Sequence, residues 1–173
     1  MKKGFTMIEL IFVIVILGIL ASVAIPRLAG TREDAEISAA VANLRTLLGD
    51  AAAYYAVKGD FKNRAGTADA TWQELTSVPL IAVTGATAAV GTAATANLKV
   101  GDANDCIGVH IVEKTDTAPA HIKFTKKNGA TGVCNKVLES KPVAAYINSV
   151  VKAATGGADV PNAMAITSNT KIY

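Results

Sequence analysis

One apolar run constrains this chain more than any other feature. It reads Phe5-Thr-Met-Ile-Glu-Leu-Ile-Phe-Val-Ile-Val-Ile-Leu-Gly-Ile-Leu-Ala-Ser-Val-Ala-Ile25 and is followed by Pro26. Its 21 residues hold a single charge, Glu9. At roughly 1.5 Å of rise per residue, a helix of that length reaches about 31 Å, the thickness of a bilayer's hydrocarbon core. Lys2 and Lys3 lie on its N-terminal side. The positive-inside rule then keeps that end cytoplasmic and carries the rest across, so the body of the protein is expected outside the cytoplasm.

A cleaved secretory signal is the ordinary alternative. Its apolar region runs about 7–15 residues, avoids acids and ends in small residues. Here the run is longer and contains Glu9, and although Ala21-Ser22-Val23-Ala24 offers small side chains, Pro26 follows closely. The segment therefore reads as an anchor that is kept.

Glu9 is the informative residue. An acid within an apolar helix costs about 2.5–3.5 kcal/mol on insertion scales, so it persists where it is paired or functional. No basic residue lies within a turn or two of it inside the apolar run. The expected partner is therefore a positive charge from elsewhere, such as a free α-amino group created just upstream.

These residues carry a resemblance. Lys-Lys-Gly4, then Phe5-Thr-Met-Ile-Glu9-Leu and a long apolar span, resembles the prepilin signature of type IV pilins and the related pseudopilins. The resemblance implies cutting between Gly4 and Phe5 by a prepilin peptidase, with methylation of the new Phe5 amine. It implies that Glu9 pairs with that amine on a neighbouring subunit during assembly at an inner-membrane platform. Gly18 and Pro26 match positions where the family's helix bends, in keeping with the weakening of helices by glycine and the hydrogen bond that proline removes. The implied fold is the α+β pilin fold, a long N-terminal helix laid on an antiparallel sheet.

The organisation follows. Residues 1–4 read as a leader, 5–26 as the transmembrane and filament-core helix, and 27–58 as its continuation. Over that continuation Ile37, Val41, Leu44, Leu48, Ala51 and Tyr55 recur at three- and four-residue steps, a stripe for packing under a head. Gly59 is a stop signal. The helix from Phe5 to Lys58 would be about 80 Å long. Tyr54 and Tyr55 read as packing residues at its end, since aromatics form only 5% of the chain.

Residues 59–104 read as a connecting region with one short helix. Thr71 and Glu74 make a capping box around Trp72, Pro79 ends the helix, and Trp72 is expected to be a packing anchor. The stretch from Thr84 to Asn97, rich in Ala, Thr and Gly, reads as exposed chain or shallow strands. Residues 105–173 read as an antiparallel sheet with a disulfide loop and a C-terminal helix. Its strand signals are Cys106–Val112, Ala120–Thr125 and, after the Asn128-Gly129 turn, Thr131–Cys134. A helix is expected over Pro142–Ala153 and a last strand near Ile166–Tyr173.

Export makes a bond between Cys106 and Cys134 the expectation, and it would resemble the C-terminal disulfide loop of many pilins. His110 and His121 lie on strands expected to pair, but a metal site needs further ligands, and they read as strand-surface histidines. Asp102-Ala-Asn104-Asp105 reads as a turn, because it fails the spacing of a calcium loop. No metal or cofactor is expected. Phosphate loops, nucleophile elbows and zinc motifs are all missing from the sequence, so no enzymatic activity is expected.

Charge narrows the partners. The net charge is +3, and Lys2 and Lys3 account for two of it, so the remainder is near neutral and does not suggest nucleic acid. The expected partners are copies of the chain, the peptidase, the assembly platform and, before assembly, the lipid bilayer. The function implied is a structural subunit of a type IV pilus serving adhesion, motility or DNA uptake. Two other readings are a type II secretion pseudopilin in a periplasmic filament and an anchored binding protein that never polymerises. The inner membrane and then the cell exterior, or the periplasm, would be its locations.

Overall fold

The computed structural model describes residues 5–62, 65, 69–82, 95–152 and 157–166. Contacts divide the chain into one unit ending at Ala35 and a second beginning at Glu36. A single helix, α1 (Met7–Lys58, 52 residues), contributes to both. It runs unbroken through Gly18 and Pro26. Gly59, at φ +79°, follows its last residue and donates its N–H to the Tyr55 carbonyl at 2.8 Å, a glycine stop of the usual left-handed kind.

The first unit is apolar and uncovered. From Phe5 to Leu28 the large apolar side chains are between 40% (Ile16) and 89% (Phe5) exposed. Among the described residues, α1 is the one helix long and apolar enough to cross a membrane.

The second unit is α+β. After α1 come α2 (Trp72–Leu75), β1 (Leu80–Ala82), β2 (Thr95–Val100), β3 (Ala103–Val112), β4 (His121–Lys126), α3 (Gly132–Glu139), α4 (Lys141–Ile147), β5 (Val150–Val151), β6 (Val160–Pro161) and β7 (Ala163–Ala165). An antiparallel sheet has the order β1-β2-β3-β4-β7, and β5 pairs with β6 separately. The period-two alternation of strands sends one set of residues inward. Leu80, Leu98 and Ile107 form one row, Ala96, Val109 and Phe124 a second, and Ile111, Ile122 and Met164 a third. These rows share one core with Ala40, Leu44, Leu47 and Ala51 of α1. On the other face Gly108 lies between Asn97 and Thr125, where a Cβ would come within 2.1 Å of Thr125 Oγ1.

Polar contacts join α1 to the head at three levels. Glu36 Oε2 accepts from Gly101 N–H at 3.0 Å, and Arg45 Nε donates to Tyr146 Oη at 2.9 Å. Asp50 Oδ2 accepts from Thr76 Oγ1 at 2.6 Å and from Ser77 N–H at 3.2 Å. Trp72 is buried, and the Thr71–Glu74 capping box is present in both directions.

Several expectations are corrected. Thr131–Cys134 is not a third strand: Gly129 (φ +68°) and Gly132 (φ +60°) redirect the chain, and residues 132–139 form α3. Cys134, Val137 and Leu138 are its buried positions, a helical spacing that a four-residue window cannot reveal. The helix expected over Pro142–Ala153 stops at Ile147, and Val150-Val151 pairs with Val160-Pro161. The region 59–104 supplies two strands of the main sheet, β1 and β2. The closing strand is β7, just before Ile166, and residues 167–173 lie outside those described, as do 84–94 of the Ala/Thr-rich stretch.

At the end of α1, Tyr54 and Tyr55 pack on the fully buried Phe61, with ring centroids 6.3 Å and 5.3 Å away. The Tyr54 hydroxyl donates to the Lys62 carbonyl, and Lys62 Nζ meets Asp69 Oδ1 at 2.7 Å. Burial, reinforced by Glu74 and Asp60, raises the Tyr54 phenol above its usual range, and the hydrogen bond to Asp69 raises Lys62. Both groups thus hold their protons in the fold at pH values where the unfolded chain has begun to lose them. The stability they contribute is complete below about pH 10 and is lost as pH rises through the folded values. Thermal unfolding of the chain in detergent should show a fall in midpoint above about pH 10, and a smaller fall for Tyr54→Phe.

Candidate functional site

The apolar run begins in a hydrogen-bonded start. A helix leaves its first N–H groups without partners, and a membrane offers no water to satisfy them. Thr6 precedes the first helical residue and its carbonyl accepts from Leu10 N–H at 3.3 Å. The Thr6 hydroxyl accepts from Glu9 N–H at 3.3 Å. In return Glu9 Oε2 accepts from Thr6 N–H at 2.8 Å and from Thr6 Oγ1 at 2.6 Å. This is a capping box of the Thr-x-x-Glu form.

Glu9 thus has a polar partner in its own chain, though not a basic one. Thr6 gives it two donors, and an anion at a helix N-terminus also meets the positive end of the helix dipole. These contacts solvate the carboxylate without neutralising it. The side chain is exposed, and no Lys, Arg or His stands between Phe5 and Pro26.

Phe5 stands immediately before the box and is exposed. Gly4, Lys2 and Lys3 lie outside the described residues. Gly18 is inside α1 with open space around the position of a Cβ, and Pro26 falls within the same helix. The hydrogen bonds described for the Glu9 side chain go to Thr6.

In the head, Cys106 of β3 and Cys134 of α3 are joined by a disulfide with an S–S distance of 2.09 Å, and both are buried. His110 and His121 are offset on the paired strands, opposite Lys123 and Val112 respectively. His121 is not a surface residue: it is 3% exposed and its Nδ1 lies 2.8 Å from the Pro119 carbonyl. Gly101 and Asp102 turn between β2 and β3, Asn104 and Asp105 are in β3, and Asp105 pairs with Lys127 at 2.7 Å. Among the described residues no three or more His, Cys, Asp or Glu side chains are grouped to hold a metal ion.

Comparison with known proteins points to the same end of the chain. Residues 1–25 match the family model for the prokaryotic N-terminal methylation motif. The type II secretion system core protein G of Pectobacterium carotovorum subsp. carotovorum is 46% identical over 46 residues, 27% of this chain and 30% of that protein. The core protein G of Klebsiella pneumoniae is 46% identical over 48 residues, 28% of this chain and 34% of the other, and that of Escherichia coli (strain K12) is 44% identical over 46 residues, 27% and 32%. The chain thus spans about a third of the length of the curated relatives it matches. No solved structure matches it. The N-terminal segment is of the prepilin type shared by pilin-like and pseudopilin subunits, and it joins an α+β, pilin-like arrangement of one long helix and an antiparallel sheet.

Proposed function

We propose that this chain is a structural, non-catalytic subunit of a bacterial type IV pilus. The observation that carries the reading is the exposed apolar half of α1, with one acid at its start, most of it within the match to a methylation motif. Exposed apolar surface on this scale calls for lipid or for other helices, and a pilin uses both in turn. The precursor waits in the inner membrane with its head outside the cytoplasm. A prepilin peptidase cuts between Gly4 and Phe5, and the Phe5 amine is methylated. Glu9 of an incoming subunit then pairs with the Phe5 amine of a neighbour as the helix leaves lipid for the filament core. Gly18 and Pro26 give that helix its places to bend. The head, from about residue 59 onward, forms the filament's outer surface.

A second reading is favoured by the relatives: core protein G belongs by name to a type II secretion system, and the chain would then build a periplasmic pseudopilus. The shared segment serves both assemblies. Pro26, the length of the head and the Cys106–Cys134 bond favour the pilus. Shearing filaments from cells and identifying their bulk component separates the two. A pilin should be the main chain in the sheared fraction. Its absence there, with loss of protein secretion on deletion, would favour the pseudopilus, and absence of any filament would favour an anchored, non-polymerising protein.

A further inference from the structure

We propose that Thr6 is a positioning residue for assembly: it binds one carboxylate oxygen of Glu9 and leaves the other for the neighbouring subunit's amine. The inference rests on the reading that Glu9 pairs in trans. It starts from an asymmetry in the capping box. Both Thr6 donors, the N–H at 2.8 Å and the hydroxyl at 2.6 Å, go to Oε2. Among the described residues none is hydrogen-bonded to Oε1. An ionised carboxylate has about four acceptor sites over its two oxygens, so the capacity that remains is concentrated on Oε1.

Two physical consequences follow. A free glutamate side chain loses much rotamer freedom when it forms an ion pair, and a side chain already fixed by Thr6 has less left to lose. In hydrocarbon no water competes for either partner, so hydrogen bonds to a charged oxygen are at their strongest. The hydroxyl acts from both sides, donating to Oε2 and accepting from Glu9 N–H, so its removal takes one of two donors from the carboxylate and leaves Glu9 N–H without its cap. Serine can make the same pair of bonds, and valine, of similar shape, can make neither.

The test compares wild type with Thr6→Val, Thr6→Ser, Thr6→Ala and Glu9→Ala in the full-length chain. It reads the ratio of filament to processed membrane subunit, so slower cleavage beside Phe5 does not imitate an assembly defect. Thr6→Ala is a second hydroxyl-free variant in case valine blocks the peptidase. Thr6→Val and Thr6→Ala should lower the ratio about tenfold, the loss of one charge-assisted hydrogen bond, and Thr6→Ser should restore it to within about twofold. A wild-type ratio in Thr6→Val while Glu9→Ala makes no filaments overturns the role of Thr6 and leaves trans pairing standing. Equal losses in Thr6→Ser and Thr6→Val overturn it too, since the hydroxyl would then be irrelevant. Normal filaments from Glu9→Ala would remove trans pairing itself.

Discussion

Glu9→Ala is expected to be cleaved normally and to be held more firmly in the membrane, yet to form no filaments. The two effects have opposite signs, which makes the variant informative. Removing an acid from an apolar helix lowers its insertion cost by about 2.5–3.5 kcal/mol. If Glu9 only burdened the anchor, the variant would be an improvement in every respect. On the proposed reading, pairing with a Phe5 amine in the filament offsets that cost, and alanine forfeits it. A loss of about 3 kcal/mol per added subunit is roughly a hundredfold in the addition equilibrium. Glu9→Gln should fall between, because the amide can keep a contact with Thr6 and cannot neutralise an amine. Electron microscopy of sheared material, with immunoblots of the membrane fraction, reads both quantities on the same cells.

The second large effect lies in the head. Opening the Cys106–Cys134 bond should destabilise it by about 3–4 kcal/mol, the chain-entropy value for a loop of this length. The two residues are separated by 28 in sequence, and the bond ties β3 to α3. Domains are stable by about 5–15 kcal/mol in all, so this is a large share. For a chain of this size the thermal midpoint should drop by roughly 7–14 °C. Cys106→Ala with Cys134→Ala avoids leaving a lone thiol in a buried position. A midpoint unchanged by reductant or by the double substitution would show that the bond contributes nothing to the fold.

The long apolar N-terminal helix was legible because its signals are local. A long apolar run, one acid and two lysines can be read without knowing any tertiary contact. Strands β3 and β4 were legible for a similar reason: β-branched residues alternate through Ile107–Val112 and His121–Thr125. The Thr71–Glu74 box was legible from its spacing. The Thr6–Glu9 box has the same spacing, but it opens an apolar run, where an acid reads first as a charge in lipid. Strands β1, β2 and β7 carry little of their own propensity. Ala163-Met164-Ala165 is a strand because β4 offers it a ladder, and Thr95–Val100 because β1 and β3 flank it. Helix α3 was hidden by its Asn-Gly turn, which reads as a hairpin until the buried trio Cys134, Val137 and Leu138 is seen together. His121 reads as a surface residue from β3 and β4 alone, and β7 lies on its other side.

On the proposed reading, cleavage before Phe5 creates the charge that Glu9 requires. Intact-mass and N-terminal peptide analysis of the chain in purified filaments tests it most directly. The expected chain lacks residues 1–4 and begins at Phe5 with one methyl group on its amine. A chain that retains Met1–Gly4, or one that begins after Ala24 as a secreted protein would, contradicts it.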